Sequence, residues 1–189
     1  MKRIGQILLL ALAALPVPAL AQSATATGTV GVGGQVAPVC ILGTPNPAVI
    51  NLGTLANTSG ARVGRIVTFS EQNVTLPSSF CNFAGSQLTV QATALLSTDD
   101  TTPPAGFARA VNYTASASGW AATNATVTTT ALADGTAATA TGTGSVQPLP
   151  KLADLLVTLS DFTVTGDAIL VAGNYSGTIV VTLGPAAIP

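Results

Sequence analysis

Ser23-Ala24-Thr25-Ala26-Thr27-Gly28-Thr29-Val30-Gly31-Val32-Gly33-Gly34-Gln35-Val36 is the stretch whose reading decides the fold. Side chains of an extended chain alternate between faces with period two. Ala24, Ala26, Gly28, Val30, Val32, Gly34 and Val36 then share an apolar or small face, and hydroxyls, glycines and an amide share the other. Such a strand carries no charge and cannot bury its apolar face alone. It must complete a core, either its own or a neighbour's.

What precedes it sets the compartment. Lys2 and Arg3 form a positive start, Ile7 to Leu15 an apolar run, and Ala19-Leu20-Ala21 a small-residue cleavage site. The run is short for a spanning helix, and Pro16 and Pro18 break it. Residues 1–21 therefore read as a secretory signal peptide. Cleavage starts the mature chain near Gln22 and takes the net charge from −1 to −3. Cys40 and Cys81 are the chain's two cysteines. In an oxidising compartment they favour one disulfide.

The rest reads as short strands. Charged residues make up 7% of the chain, against a usual quarter, while hydrophobic residues make up 48%. Disorder goes with the opposite balance. Thr- and Val-rich segments punctuated by Gly and Pro instead suggest β-structure. Strands are expected over 48–53, 62–69, 73–76, 88–96, 108–117, 155–162, 169–173 and 175–183. Residues 121–145 alternate only weakly, so their register is poorly specified. Outside the signal peptide no helix-length window shows three-and-four apolar spacing. Seven to nine strands in one domain predict an antiparallel β-sandwich.

Composition removes most chemistry. With no histidine, histidine-activated nucleophiles and histidine metal ligands are excluded. Asp99-Asp100 is the one adjacent acidic pair and reads better as a solvated loop tip than as a cation site. No phosphate-binding loop and no basic patch is present, so neither a cofactor nor nucleic acid is expected. Asn57, Asn73, Asn112, Asn124 and Asn174 begin Asn-x-Ser/Thr triplets, which chance supplies in so hydroxyl-rich a chain. An enzyme is not expected; binding and assembly are.

The order of features resembles that of chaperone–usher pilins, in particular the archaic, spore-coat-U-like branch. Val30-Gly31-Val32-Gly33-Gly34-Gln35-Val36 ahead of Cys40 is similar to the pilin N-terminal extension. Val49-Ile50-Asn51-Leu52-Gly53-Thr54-Leu55 is similar to the short strand after the first cysteine. Val74-Thr75-Leu76-Pro77 leading to Cys81 resembles the setting of the second. Ala172-Gly173-Asn174-Tyr175 through Leu183 resembles the pilin finish. The likeness covers both ends and hardly touches residues 97–150.

The resemblance implies an immunoglobulin-like sandwich lacking its seventh strand (37–189), preceded by a donor-strand extension (22–36). Val30, Val32 and Val36 would fill pockets, with Gly34 where the groove is shallow. Tyr175, Ile179, Val181 and Leu183 would border the groove and pair first with a periplasmic chaperone. An outer-membrane usher and neighbouring subunits would be the other partners, and the cell surface the destination. The competing expectation is a self-contained secreted β-sandwich, an adhesin or carbohydrate-binding module, with Trp120, Tyr113 and Tyr175 available for sugar stacking. A third is a surface protein that associates edge to edge in an amyloid-like way.

Overall fold

The computed structural model describes residues 25–136 and 139–187. The expected signal peptide, with Ser23 and Ala24, lies outside the described residues. The chain divides between Val36 and Ala37 into two units. Within the first, residues 25–36 have no regular secondary structure, so the strand expected there is not formed.

The second unit is all-β. Its strands are β1 (Cys40–Ile41), β2 (Gln72–Cys81), β3 (Ser86–Ala92), β4 (Leu95–Ser97), β5 (Phe107–Ala108) and β6 (Ala110–Ser118). β7 (Ala125–Thr128), β8 (Ala140–Thr143), β9 (Lys151–Thr163), β10 (Ile169–Leu170), β11 (Tyr175–Ser176) and β12 (Ile179–Pro185) follow. A single 3-10 turn, Thr165–Asp167, is the helical element among the described residues. One antiparallel sheet runs β1-β2-β9-β6-β4-β11, with β7 also on β6, and a second runs β12-β3-β8. β5 and β10 form a separate parallel pair. The architecture is consistent with a β-sandwich.

Alternation builds the core. Leu88, Val90 and Ala92 of β3 meet Tyr113, Ala115 and Ala117 of β6 and Leu155, Val157 and Leu159 of β9, all buried in one cluster. Trp120 is buried beyond the end of β6, and its indole N–H donates to Ser86 Oγ at 3.2 Å. On the outer face the hydroxyls pair with one another. Thr114 and Thr128 lie 2.9 Å apart, and Ser116 and Thr126 2.8 Å.

Two β-bulges reset the alternation. In β2, Leu76 points in; Pro77 and Ser78 then stand opposite Asp154 alone, with Ser78 at φ 54°. The extra residue inverts the phase, so Ser79 and Cys81 are buried. Without it Cys81 would face solvent. Asp154 accepts the Ser78 amide at 2.8 Å, and Ser79 Oγ donates to the Leu76 carbonyl at 3.0 Å. In β9, Asp161 at φ 54° does the same opposite Tyr113, turning Phe162 inward to stack on Tyr113 at 5.8 Å. The expected strand stop at Pro77 is thus a bulge.

Cys40 and Cys81 are disulfide-bonded and lie directly opposite each other in β1 and β2. Ile41 faces Phe80, and beyond β1 Asn46 faces Thr75 in the same register, exchanging two backbone hydrogen bonds of 2.8 and 2.9 Å. Between them Gly43 passes so close that a Cβ would lie 1.9 Å from the Pro77 carbonyl oxygen. Its amide instead reaches Ser79 Oγ at 3.0 Å.

The strands expected at 48–53 and 62–69 are not formed. The first is a bend; the second makes only isolated bridges, Asn57 to Val63 and Ala56 to Ile66. Arg62 and Arg65 both reach Asp167, at 2.8 and 3.1 Å, and tie this loop to the 3-10 turn. Residues 121–145 supply β7 and β8.

Gly43→Ala is expected to lower stability by about 1–3 kcal/mol, since the seam must open to admit a methyl group. Denaturant unfolding with the disulfide intact checks it. Reducing the disulfide is expected to remove roughly 4 kcal/mol, the closure entropy of a loop of its length. The same titration with reductant measures that loss.

Candidate functional site: the open edge of the last strand

β12 pairs with β3 along its length and has no strand on its other side among the described residues. Flanking bonds set the phase of that pairing. The Thr93 amide donates to the Thr178 carbonyl at 3.0 Å, and the Ala186 amide to the Gly85 carbonyl at 2.9 Å. Even-numbered residues of β12 therefore bond to β3, and in an antiparallel pair the odd ones turn their N–H and C=O groups outward. Ile179, Val181 and Leu183 offer those groups to the open edge.

Their side chains face inward. Ile179, Val181 and Leu183 are partly buried against the main core, whereas Val180 is exposed. Beside Ile179 and Val181 lies an apolar groove of about 350 Å³. Val74, Leu76, Val157 and Leu159 of the facing sheet line it, with Tyr113 and Phe162. Pro45, Pro47, Val49, Ile50 and Leu52 form the opposite lip, brought there by the Asn46–Thr75 bridge. The core is thus open beside Ile179 and Val181, with apolar walls and unpaired backbone at one rim. Its chemistry suits an extended peptide: hydrogen bonds from the edge and pockets for alternate side chains.

Val30, Val32 and Val36 are 85%, 95% and 84% exposed, and nothing lies within 4 Å of where a Cβ on Gly34 would stand. Ile179 and Val181 line the groove; Leu183 shares their face further along β12. Tyr175 stands apart from them. The expected strand 175–183 breaks at Gly177, where a Cβ would meet the Thr93 and Ala94 carbonyl oxygens at 2.9 Å. Tyr175 therefore sits on β11 against β4, its hydroxyl donating to the Val171 carbonyl at 2.8 Å. The inward turn of Phe162 depends on a bulge and has no signal in the sequence. The segment 48–53, expected as a strand, instead supplies Val49, Ile50 and Leu52 to the lip without pairing.

Other candidates are spent on structure. Trp120 is buried with its indole N–H spent on Ser86, and Tyr113 is buried at the wall of the groove. Asn112 is buried, its amide donating to the Ala131 carbonyl and its oxygen accepting from Thr129 and Ala131. Asp99 accepts from the Thr101 amide and hydroxyl, which hold its carboxyl below the usual range. Among the described residues no group of three or more His, Cys, Asp or Glu could hold a metal ion, and no helix is long and apolar enough to cross a membrane.

Burial pushes the Tyr113 hydroxyl up to about 12 from 10.0, and it donates to the Thr93 carbonyl at 2.9 Å. The folded state keeps this proton where the unfolded chain has lost it. Stability is therefore expected to be unaffected by Tyr113 below pH 10 and to fall as pH rises from 10 towards 12. Tyrosinate absorbance should rise together with loss of β-structure, and Tyr113→Phe should flatten the alkaline limb.

No protein-family model, curated protein sequence or solved structure matches the chain.

Proposed function

We propose that the protein is a structural subunit of a pilus-like surface fibre, and that the groove beside β12 receives the extension of a second copy. The observation that carries this reading is the combination at one slot of an unpaired strand edge with an unfilled apolar core. Strand order supports it. In an immunoglobulin constant-type sandwich one sheet runs A-B-E-D and the other C-F-G. On that reading β1-β2-β9-β6 would correspond to the first, β3 and β12 to C and F, and the place of G beside β12 has no strand among the described residues.

The donor would be residues 30–36. Val30, Val32 and Val36 fall on one side of an extended chain, with Gly34 between, and would enter the groove while their backbone bonded to Ile179, Val181 and Leu183. After signal-peptide cleavage near Gln22 this segment would form the start of the secreted chain, free to leave its own domain. Strand addition of this kind couples backbone bonds with side-chain pockets. The likeness to chaperone–usher pilins supplies the rest of the route. A periplasmic chaperone would hold the groove in transit, and an outer-membrane usher would exchange it for the next subunit's extension.

Deleting residues 22–36 while keeping the signal peptide is expected to leave an exported domain that co-purifies with a periplasmic chaperone but extends no fibres. Normal fibres from that variant would sink the proposal. Val32→Ser should weaken subunit joining by about tenfold or more, the worth of one buried valine. The dissociation rate of fibres in denaturant reads that change.

A further inference from the structure

Asn82 follows the disulfide and binds the chain ahead of β1 in three ways. Its backbone N–H donates to the Val39 carbonyl at 3.1 Å. Its side-chain oxygen accepts the Val39 amide at 2.7 Å, and its side-chain nitrogen donates to the Ala37 carbonyl at 2.9 Å. The backbone bond extends the β1–β2 register by one residue pair, and the side chain carries it one step further. Asn82 thus acts as an extra strand partner after β2 has ended, tying Ala37 and Val39 to the end of β2.

That register has a direction. β2 ends at Cys81, and β3 begins at Ser86, opposite Pro185 of β12. The Cys40–Cys81 pair therefore lies at the Pro185 end of β12. Pro45 and Pro47, further along the chain, line the groove together with Ile179, at the other end. From Ala37 onward the chain runs from the Pro185 end towards the Ile179 end. For residues 30–36 to lie in the groove of their own domain, the chain ahead of Ala37 would have to reverse. For them to lie in the groove of another copy, no reversal is needed.

We infer that Asn82 is a positioning residue that selects between two occupants of the groove. By pinning Ala37–Val39 it penalises self-insertion and commits the extension to a second copy of the chain. This inference rests on the groove reading of the preceding section. Releasing the pin moves the first possible turn to Ala37–Val39, next to the groove's own end, and makes a closed monomer accessible.

The test uses the full exported chain, unfolded with its disulfide intact and refolded over a range of concentrations. Light scattering after size separation gives the mass, and amide exchange reports protection of residues 25–36. Wild-type chain is expected to refold into multimers. Asn82→Ala is expected to raise the monomer fraction by roughly tenfold, the worth of the lost side-chain hydrogen bonds, with Val30–Val36 amides protected in the monomer. Asn82→Asp keeps the size and one acceptor but cannot donate to Ala37, and should fall between. It also decides the matter if the alanine variant fails to fold. Val32→Asp, in the extension, should give monomers with unprotected amides. If both Asn82 variants partition as wild type while Val32→Asp is monomeric, the Asn82 inference is overturned and the groove reading stands. If Val32→Asp still multimerises, or wild type stays monomeric with its Val30–Val36 amides unprotected, the groove reading fails and the inference with it; a wild-type monomer with those amides protected has filled the groove from its own chain and overturns the Asn82 inference.

Discussion

The seam between the first strand and β2 sets everything the groove requires. One antiparallel register runs from Val39 opposite Asn82, through the disulfide, to Asn46 opposite Thr75. It is interrupted only where Gly43 slips past the bulge at Pro77 and Ser78. The bulge turns Cys81 inward to meet Cys40, and the far end of the seam delivers the Pro45–Leu52 lip. Were the register to slip by one residue, every inward side chain would turn outward. The disulfide prevents that slip covalently.

The seam leaves the last strand exposed. An unpaired strand edge invites association, and proteins usually blunt it with charge, proline or a covering segment. β12 carries no charged residue, and its proline, Pro185, stands at its end. The same strand borders an unfilled slot in the core. These two features call for a single remedy, because one added strand would satisfy the backbone and fill the slot together.

Period-two alternation made much of this legible in the sequence. β3, β6, β9 and β12 were visible because Leu88-Val90-Ala92, Tyr113-Ala115-Ala117, Leu155-Val157-Leu159 and Ile179-Val181-Leu183 recur at every second position. What escaped depends on breaks in that rule. Ser78 and Asp161 adopt left-handed backbone inside strands, and polar residues in a strand give no warning of it. Val63 and Val67 alternate with polar neighbours as a strand would. Yet Gly60 and Gly64 at positive φ, with Arg62 and Arg65 reaching Asp167, hold that segment as a loop. By spacing Tyr175 belongs with β12, since Gly177 keeps the alternation, and only the close carbonyls of Thr93 and Ala94 show that the strand breaks there. The role of Asn82 had no pattern at all to announce it.

The outer face of the larger sheet bears on how the molecule meets its surroundings. Part of its polar character comes from hydroxyls that bond to one another across strands, Thr114 with Thr128 and Ser116 with Thr126. Neutral dipoles paired in this way are not screened by ions and do not titrate in the ordinary range. Such a face keeps its wetting when salinity or acidity changes around the molecule.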